Sequence, residues 1–421
     1  MPYRPILAGV LGALLAAGLA GATTIEDVCP SNPTPPDPCL VTSNVAVTDG
    51  STLDAGDRTL VVTAGKSLDV GEGGMTVKAA KVVLEDGARL LGAAGNVTVR
   101  ATGSAQVSGD IELQGASSID VSNNATVANQ DNCGDGGNIT LDAAGSVATH
   151  GDLLARGFGG GELCGGGGTL TVMAGGSASF GHIATSAGPN AYFGYVYISV
   201  TGPVTVEGAI DMTGGAWSGS DDLAIISGGD VVTNGTINLS VTLPEEAAGP
   251  AYLSGHDVTV NGSVMARGDD DPYERYGGYG GELDIDATGT IDIAADMVLP
   301  AAAGGGGGVM NLNAGGDIHT GSLDLHGPGR YGEGGALSID AQGAVTLGSV
   351  DLTGGAYGAL LQSAAVTRST SSIVVIPAAA LVSPLCRSVF MPPAIAVRLS
   401  SSALTPPRIC SRSSSLIGMT S

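Results

Sequence analysis

The amino-acid sequence predicts an all-β fold, a parallel β-helix of about eleven or twelve coils with Gly-rich corner loops. The first observation is that Gly supplies 70 of the 421 residues without a three-residue period, which excludes collagen. The second is that 43% of the chain is apolar, mostly short or branched residues beside Thr, Ser and Asn. This mixture is too apolar for a disordered chain and favours short strands and tight turns. The third is a repeat unit of three short segments, in each of which apolar and polar residues alternate.

The repeat unit has the pattern Gly-x-apolar-x-apolar, followed by a turn, two further alternating segments and a Gly-rich stretch. Three short strands per unit form one coil of a parallel β-helix, in which alternate apolar side chains point inward and stack on neighbouring coils. Successive units recur at a nearly constant spacing of roughly 26–31 residues. Their first apolar anchors are Ile139, Leu170, Val196, Leu223, Tyr252, Leu283, Met310 and Leu337.

The earlier part of the chain follows the same pattern with a shorter period. Val61, Leu68 and Met75 reappear about one such period later as Val82, Leu90 and Val97, and Ile119 follows Val97 by the same interval. The bare coil is therefore about 22 residues long, and later units insert roughly five to nine more at one corner. We predict a β-helix over residues 53–361, roughly 55 Å long at about 4.8 Å per coil.

The N-terminus has the pattern of an export signal. A basic start at Arg4 precedes an apolar stretch over residues 6–19 and the small residues Ala20, Gly21 and Ala22. We predict a signal peptide over residues 1–22 and a secreted or cell-surface location; the alternative is an uncleaved anchor. The apolar stretch is short for a bilayer, and we expect no transmembrane span in the mature body.

Export permits disulfides, and four of the six Cys suggest pairings. Cys29 and Cys39 bracket the Pro-rich segment CPSNPTPPDPC, so we predict a disulfide loop and N-terminal cap over residues 23–52. Cys133 and Cys164 are one repeat apart, in equivalent positions of consecutive units. Stacked coils lie about 5 Å apart, which suits a coil-to-coil disulfide; the alternative is two free buried thiols.

Charge is unevenly distributed along the chain. The formal net charge is −24, and all 40 Asp and Glu lie between Glu26 and Asp351. This balance argues against a nucleic-acid partner, because few groups could neutralise phosphates. Residues 362–421 contain five Arg, one Gly and no acid. They form a low-complexity basic tail that is either disordered or the result of a shifted reading frame.

Units such as GNITLDAAG, GTLTVMAGG and GELDIDATG resemble those of secreted bacterial right-handed parallel β-helix proteins. The chain is most similar to autotransporter passenger and filamentous-haemagglutinin-like surface proteins. The resemblance is one of repeat pattern over about 300 residues, and no recognisable secretion domain accompanies it. It implies export and a surface, adhesive or structural role.

Aromatic residues are rare, and most follow the third segment of a unit in the Gly-rich insertion. If the coils stack, their rings line one long edge, where aromatic faces beside carboxylates and amides suit sugar rings. We expect a ligand-binding edge for surface glycans or cell-envelope components; the alternative is that the rings cover the corner of the core. The residues are Phe158, Tyr192, Phe193, Trp217, Tyr273, Tyr276, Tyr279, Tyr331 and Tyr357.

One acidic cluster has the composition of a calcium site. Asp269, Asp270, Asp271 and Glu274 lie together in a corner insertion and could gather oxygen ligands around a hard cation. The alternative is a loop of hydrated carboxylates. No other cofactor is expected.

These observations favour an exported, non-catalytic cell-surface or extracellular protein with a structural or adhesive role. The alternative is a polysaccharide-active β-helix enzyme, a lyase or glycoside hydrolase, which needs two or three close carboxylates. Pairs such as Asp221-Asp222 and Glu245-Glu246 fall in corner insertions, and the five His are scattered over different coil positions.

Overall fold

The computed structural model confirms an all-β parallel β-helix. It describes residues 22–29, 38–123, 134–158, 165–188, 191–192, 194–214, 223–241, 246–268, 278–302, 305–328 and 332–354, and the backbone of 360–361 and 365–366. Each coil contributes one strand to each of three parallel ladders. The corners between them are numbered in chain order, so that the third corner leads from the third ladder into the next coil.

The first ladder is a sheet of thirteen strands. Its strands alternate strictly between buried and more exposed side chains over most of their length, as expected of a sheet with one face on the core. The strands are Ser51–Asp54, Met75–Ala79, Asn96–Ala101, Asn138–Ala143, Thr169–Ala174, Tyr195–Val200, Leu223–Ser227, Ala251–Gly255, Glu282–Ala287, Val309–Ala314, Ala336–Ala341, Leu360–Leu361 and Ala365–Val366.

The second and third ladders share a sheet of 22 strands. They merge in two strands that continue through the second corner, Val147–Leu154 and Ala178–Ala184. The other strands of the second ladder are Cys39–Val41, Thr59–Val62, Lys81–Leu84, Ile111–Leu113, Val204–Val206, Val231–Thr233, Val258–Val260, Ile291–Ile293, Ile318–Thr320 and Val345–Thr346. Those of the third are Val45–Ala46, Ser67–Asp69, Arg89–Leu91, Ser118–Asp120, Ile210–Asp211, Ile237–Asn238, Val264–Met265, Met297–Val298, Leu323–Asp324 and Val350–Asp351.

Inward side chains of the three ladders form one continuous apolar core. Leu170, Val196 and Leu223 stack on one another in register, and all three are fully buried. Burying such a side chain contributes roughly 1.5–3 kcal/mol, and every coil repeats the contribution. The solenoid is therefore stabilised coil by coil.

Three of the predicted repeat positions are wrong. Leu60, not Val61, pairs with Val82. Ala251, not Tyr252, stacks between Leu223 and Leu283; the inward side chain is small, so the outward Tyr looked like the anchor. Ile119 pairs with Leu90 in the third ladder. In the first ladder the partner that follows Val97 is Ile139, almost two bare coils further along the chain, because this coil carries long insertions at its first and third corners.

In several coils the Gly that opens the repeat lies close to the backbone of the preceding coil. A Cβ on Gly95 would lie 1.6 Å from the carbonyl oxygen of Gly73. A Cβ on Gly137 would lie 1.8 Å from that of Gly95, and one on Gly168 1.9 Å from that of Gly137. Each is a collision with backbone, so only Gly allows the coils to stack at this position.

The N-terminal end is closed by a short helix and a disulfide. Helix Ile25–Val28 leads into Cys29, which is bonded to Cys39 as predicted, with their Cα atoms 5.6 Å apart. Cys39 begins the strand that pairs with Thr59–Val62. Strand pairing therefore already begins inside the segment predicted as a cap.

Several predictions fall outside the described residues. They are the two cysteines Cys133 and Cys164, the signal peptide except Ala22, and the basic tail except the backbone of residues 365–366. Among the residues that the structure describes, no helix is long and apolar enough to cross a membrane.

Candidate functional site

Three of the nine predicted aromatic residues are described, and all three are at the third corner. Phe158 is 60% exposed, Tyr192 54% and Tyr279 57%. These are large fractions for aromatic rings, which usually bury most of their surface. The other six, Phe193, Trp217, Tyr273, Tyr276, Tyr331 and Tyr357, lie outside the described residues.

Tyr279 shows how a corner ring is held. A Cβ placed on Gly306, in the next coil, would lie 2.6 Å from Cδ1 of the Tyr279 ring. The ring therefore packs on the bare backbone of Gly306 along one edge. The ring thus covers part of the corner and leaves more than half of the Tyr279 surface accessible.

The structure also reveals aromatic side chains that the sequence analysis did not select. Tyr195 and Tyr197 alternate with Val196 and Ile198, which are fully buried. Alternation places both Tyr side chains on the outer face of the first ladder. Their rings are stacked, with centroids 6.3 Å apart and planes 7° apart.

Strand register brings a third strand Tyr into line with this pair. Tyr197 pairs with Ala224, and Ala224 pairs with Tyr252. Two coil spacings, about 10 Å, therefore separate Tyr197 from Tyr252 along the solenoid axis. Ala224 faces outward by alternation yet is only 4% exposed, as expected where larger neighbours stand on both sides. Met173, 43% exposed, is diagonal to Tyr197 one coil earlier.

We call this surface the tyrosine face: the outward side chains of Met173, Tyr195, Tyr197, Ala224 and Tyr252. It adjoins the third corner, because Tyr192 precedes Tyr195 by only three residues. An aromatic surface therefore extends from the corner onto the outer face of the sheet.

Hydrogen-bonding groups border the tyrosine face on its C-terminal side. The Tyr252 hydroxyl donates to Oδ2 of Asp286 at 3.0 Å. One coil further, Nδ2 of Asn311 donates to Oδ1 of Asp284 at 2.6 Å. The carboxylate of Asp284 and the amide of Asn311 thus occupy the same register position as Tyr252, on the same outer face.

The Tyr252 hydroxyl remains a hydrogen-bond donor. A hydrogen bond with Ser254 lowers its pKa, but partial burial, the bond to Asp286 and the negative charges of Asp286 and Asp284 outweigh that effect. The net result is a pKa above the usual value for Tyr. The ring stays neutral, and its orientation is fixed by the carboxylate.

Other described acidic residues have structural roles at the corners. Oδ1 of Asp257 accepts the backbone N–H of Thr290 at 2.6 Å, and Oδ1 of Asp317 accepts that of Ala344 at 2.6 Å. Both bonds tie one coil to the next. The predicted calcium ligands Asp269, Asp270, Asp271 and Glu274 lie outside the described residues, and that prediction stays a prediction.

The chain matches no protein-family model, no curated protein and no solved structure.

A sequence signal for the strand tyrosines did exist. Aromatic residues at alternate positions around buried apolar residues, as in YVYISV, predict an outward aromatic pair. The aromatic site was predicted in the Gly-rich insertions, and so did not include Tyr195 and Tyr197.

Proposed function

We propose that this protein is an exported, non-catalytic surface or extracellular β-helix that binds a neutral polysaccharide along the tyrosine face and the adjoining third corner. The observation that carries the proposal is the placement of Tyr195, Tyr197 and Tyr252 on the outer face of the first ladder, with carboxylate and amide groups beside them. Sugar rings present C–H faces to aromatic rings and hydroxyl groups to polar side chains.

The geometry favours a polymer over a small sugar. The tyrosine face spans consecutive coils from Met173 to Tyr252, about 4.8 Å apart, so an extended chain can contact several coils at once. Each ring contact contributes roughly 0.5–1.5 kcal/mol. Several such contacts on one chain add through a high effective concentration.

The charge of the protein selects against acidic polymers. The formal net charge is −24, and Asp284 and Asp286 flank the tyrosine face. An anionic polysaccharide would be repelled at low ionic strength. The ligand class that fits is therefore a neutral glycan of the cell surface or matrix.

The experiment is affinity electrophoresis of the exported chain in native gels that contain a soluble neutral glucan. We expect the glucan to retard the protein, whereas polygalacturonate, an acidic polymer, should not. The double variant Tyr197→Ala/Tyr252→Ala should lose affinity roughly tenfold or more, because two ring contacts are removed.

A matched control is Thr140→Ala/Ser338→Ala. These side chains occupy the same outward position of the first ladder, outside the tyrosine face, and their loss should leave retardation unchanged. Equal retardation of wild type and the Tyr double variant would refute the proposed site. A fall in glucan chain length during the experiment would instead favour the polysaccharide-active enzyme.

The corner rings are tested separately. Phe158→Ala/Tyr192→Ala/Tyr279→Ala removes the three described corner rings and leaves the strand tyrosines intact. We expect a smaller loss of affinity than in the Tyr197/Tyr252 variant, since the corner rings border the site.

A further inference from the structure

Outward Asp and Asn residues form a recurring turn where individual strands of the third ladder end. In each case Oδ1 accepts the backbone N–H of the residue two positions later, which closes an Asx turn. The turns begin at Asp69, Asp120, Asp211, Asn238, Asp324 and Asp351. The turn explains why Asp or Asn occurs at its first position. It uses only the backbone N–H of the residue two positions later, so any side chain is compatible there.

One member of this series departs from the others in two ways. The residue two positions later is Gly, Ser or Thr in five turns, but it is His326 in the turn that begins at Asp324. In addition, Asp324 pairs directly with Asp351 of the next coil. By contrast, Asp120 stands between Leu91 and Leu154.

The result is a cluster of three metal-binding groups on one outer face. Oδ1 of Asp324 makes a short hydrogen bond with Nδ1 of His326. One ligand atom from each of Asp324, His326 and Asp351 lies within 4.8 Å of the other two. The turns engage Oδ1 of each carboxylate, and Oδ2 can serve as a ligand.

We propose that Asp324, His326 and Asp351 bind a divalent transition metal of the zinc class. An imidazole nitrogen with two carboxylate oxygens is a donor set that Zn²⁺ uses, whereas Ca²⁺ takes oxygen ligands. Two carboxylates stacked at about 4.8 Å repel each other, and a dication between them converts the repulsion into attraction.

The geometry requires only side-chain rotation. Tetrahedral bonds of about 2.1 Å place ligand atoms about 3.4 Å apart. Asp324 and His326 are partly exposed and Asp351 is exposed, so their side chains can rotate to close the remaining distance. Parallel strand pairing between Leu323–Asp324 and Val350–Asp351 fixes the backbone on which they stand. Three protein ligands leave a fourth position for water or an external ligand.

The test is calorimetric titration of the full chain with ZnCl₂, without an affinity tag that contains His, after dialysis against EDTA. Alkylation of free thiols beforehand removes competing sulfur ligands. We expect one Zn²⁺ per chain at this site, and a loss of affinity of at least about tenfold in both His326→Ala and Asp351→Asn.

The matched control is His182→Ala. Nδ1 of His182 lies 3.4 Å from Oδ1 of Asp152 in the preceding coil, so this variant removes an imidazole beside one carboxylate but leaves the three-residue cluster intact. Its zinc affinity should equal that of wild type. The thermal midpoints of all variants in EDTA verify folding.

Absence of zinc binding by the wild type, or equal zinc affinity of wild type and His326→Ala, would overturn the proposal. It stands independently of glycan binding, because the cluster lies at least two coils beyond Tyr252, the last residue of the tyrosine face.

Discussion

At the residue scale, the most specific feature is the close approach of successive coils at the repeat glycines. Gly137 illustrates it, because its position relative to the Gly95 carbonyl leaves no room for a side chain. The sequence shows these glycines as the start of each unit, whereas their role becomes evident only when the coils are stacked.

We predict that Gly137→Ala lowers the free energy of unfolding by about 2–3 kcal/mol, since the new methyl collides with backbone that cannot rotate away. Gly74→Ala is the control, because its Cβ would meet its nearest neighbour, the Asn96 carbonyl oxygen, at 3.4 Å. Denaturant unfolding followed by circular dichroism measures both. Equal stability of the two variants would contradict the close approach.

At the scale of elements, strands of successive coils are joined by side chains as well as by ladder hydrogen bonds. Asp257 lies at the first corner, between Ala251–Gly255 and Val258–Val260. The backbone N–H of Thr290, then its hydroxyl, and the nearby His256 lower the pKa of Asp257 despite slight burial. The ionised carboxylate is therefore the form that links the coils.

A group whose pKa is lower in the folded state contributes stability above its unfolded pKa and loses it as the pH falls through the folded value. We predict that Asp257→Asn lowers the thermal midpoint at pH 7, and that the difference from wild type shrinks below about pH 4. The control Asp292→Asn removes a charge from an exposed strand position without removing such a link. A pH-independent difference would contradict this role.

Much of this architecture follows from the sequence, because a period of two assigns inward and outward faces and the spacing of units sets the stack. The pairing of Leu68 with Leu90 and of Leu283 with Met310 was predictable in this way. The tyrosine face was not, since it depends on which outward residues share a register across coils. A small inward residue, Ala251, was enough to shift the inferred register by one.

At the scale of the whole molecule, the solenoid turns sparse residues into a surface. Single tyrosines far apart in the chain become neighbours when the coils stack, as Tyr197 and Tyr252 do across Ala224. The same stacking brings Asp324 onto Asp351. Side chains from successive coils are thus brought together on one face of the solenoid.

The most direct test of the central claim is tyrosine nitration by tetranitromethane, with and without the neutral glucan, read by mass spectrometry of the peptides. We predict that bound glucan slows nitration of Tyr197 and Tyr252 several-fold relative to the free protein. Binding of glucan with unchanged nitration of both residues would show that the polymer lies elsewhere and would contradict the account.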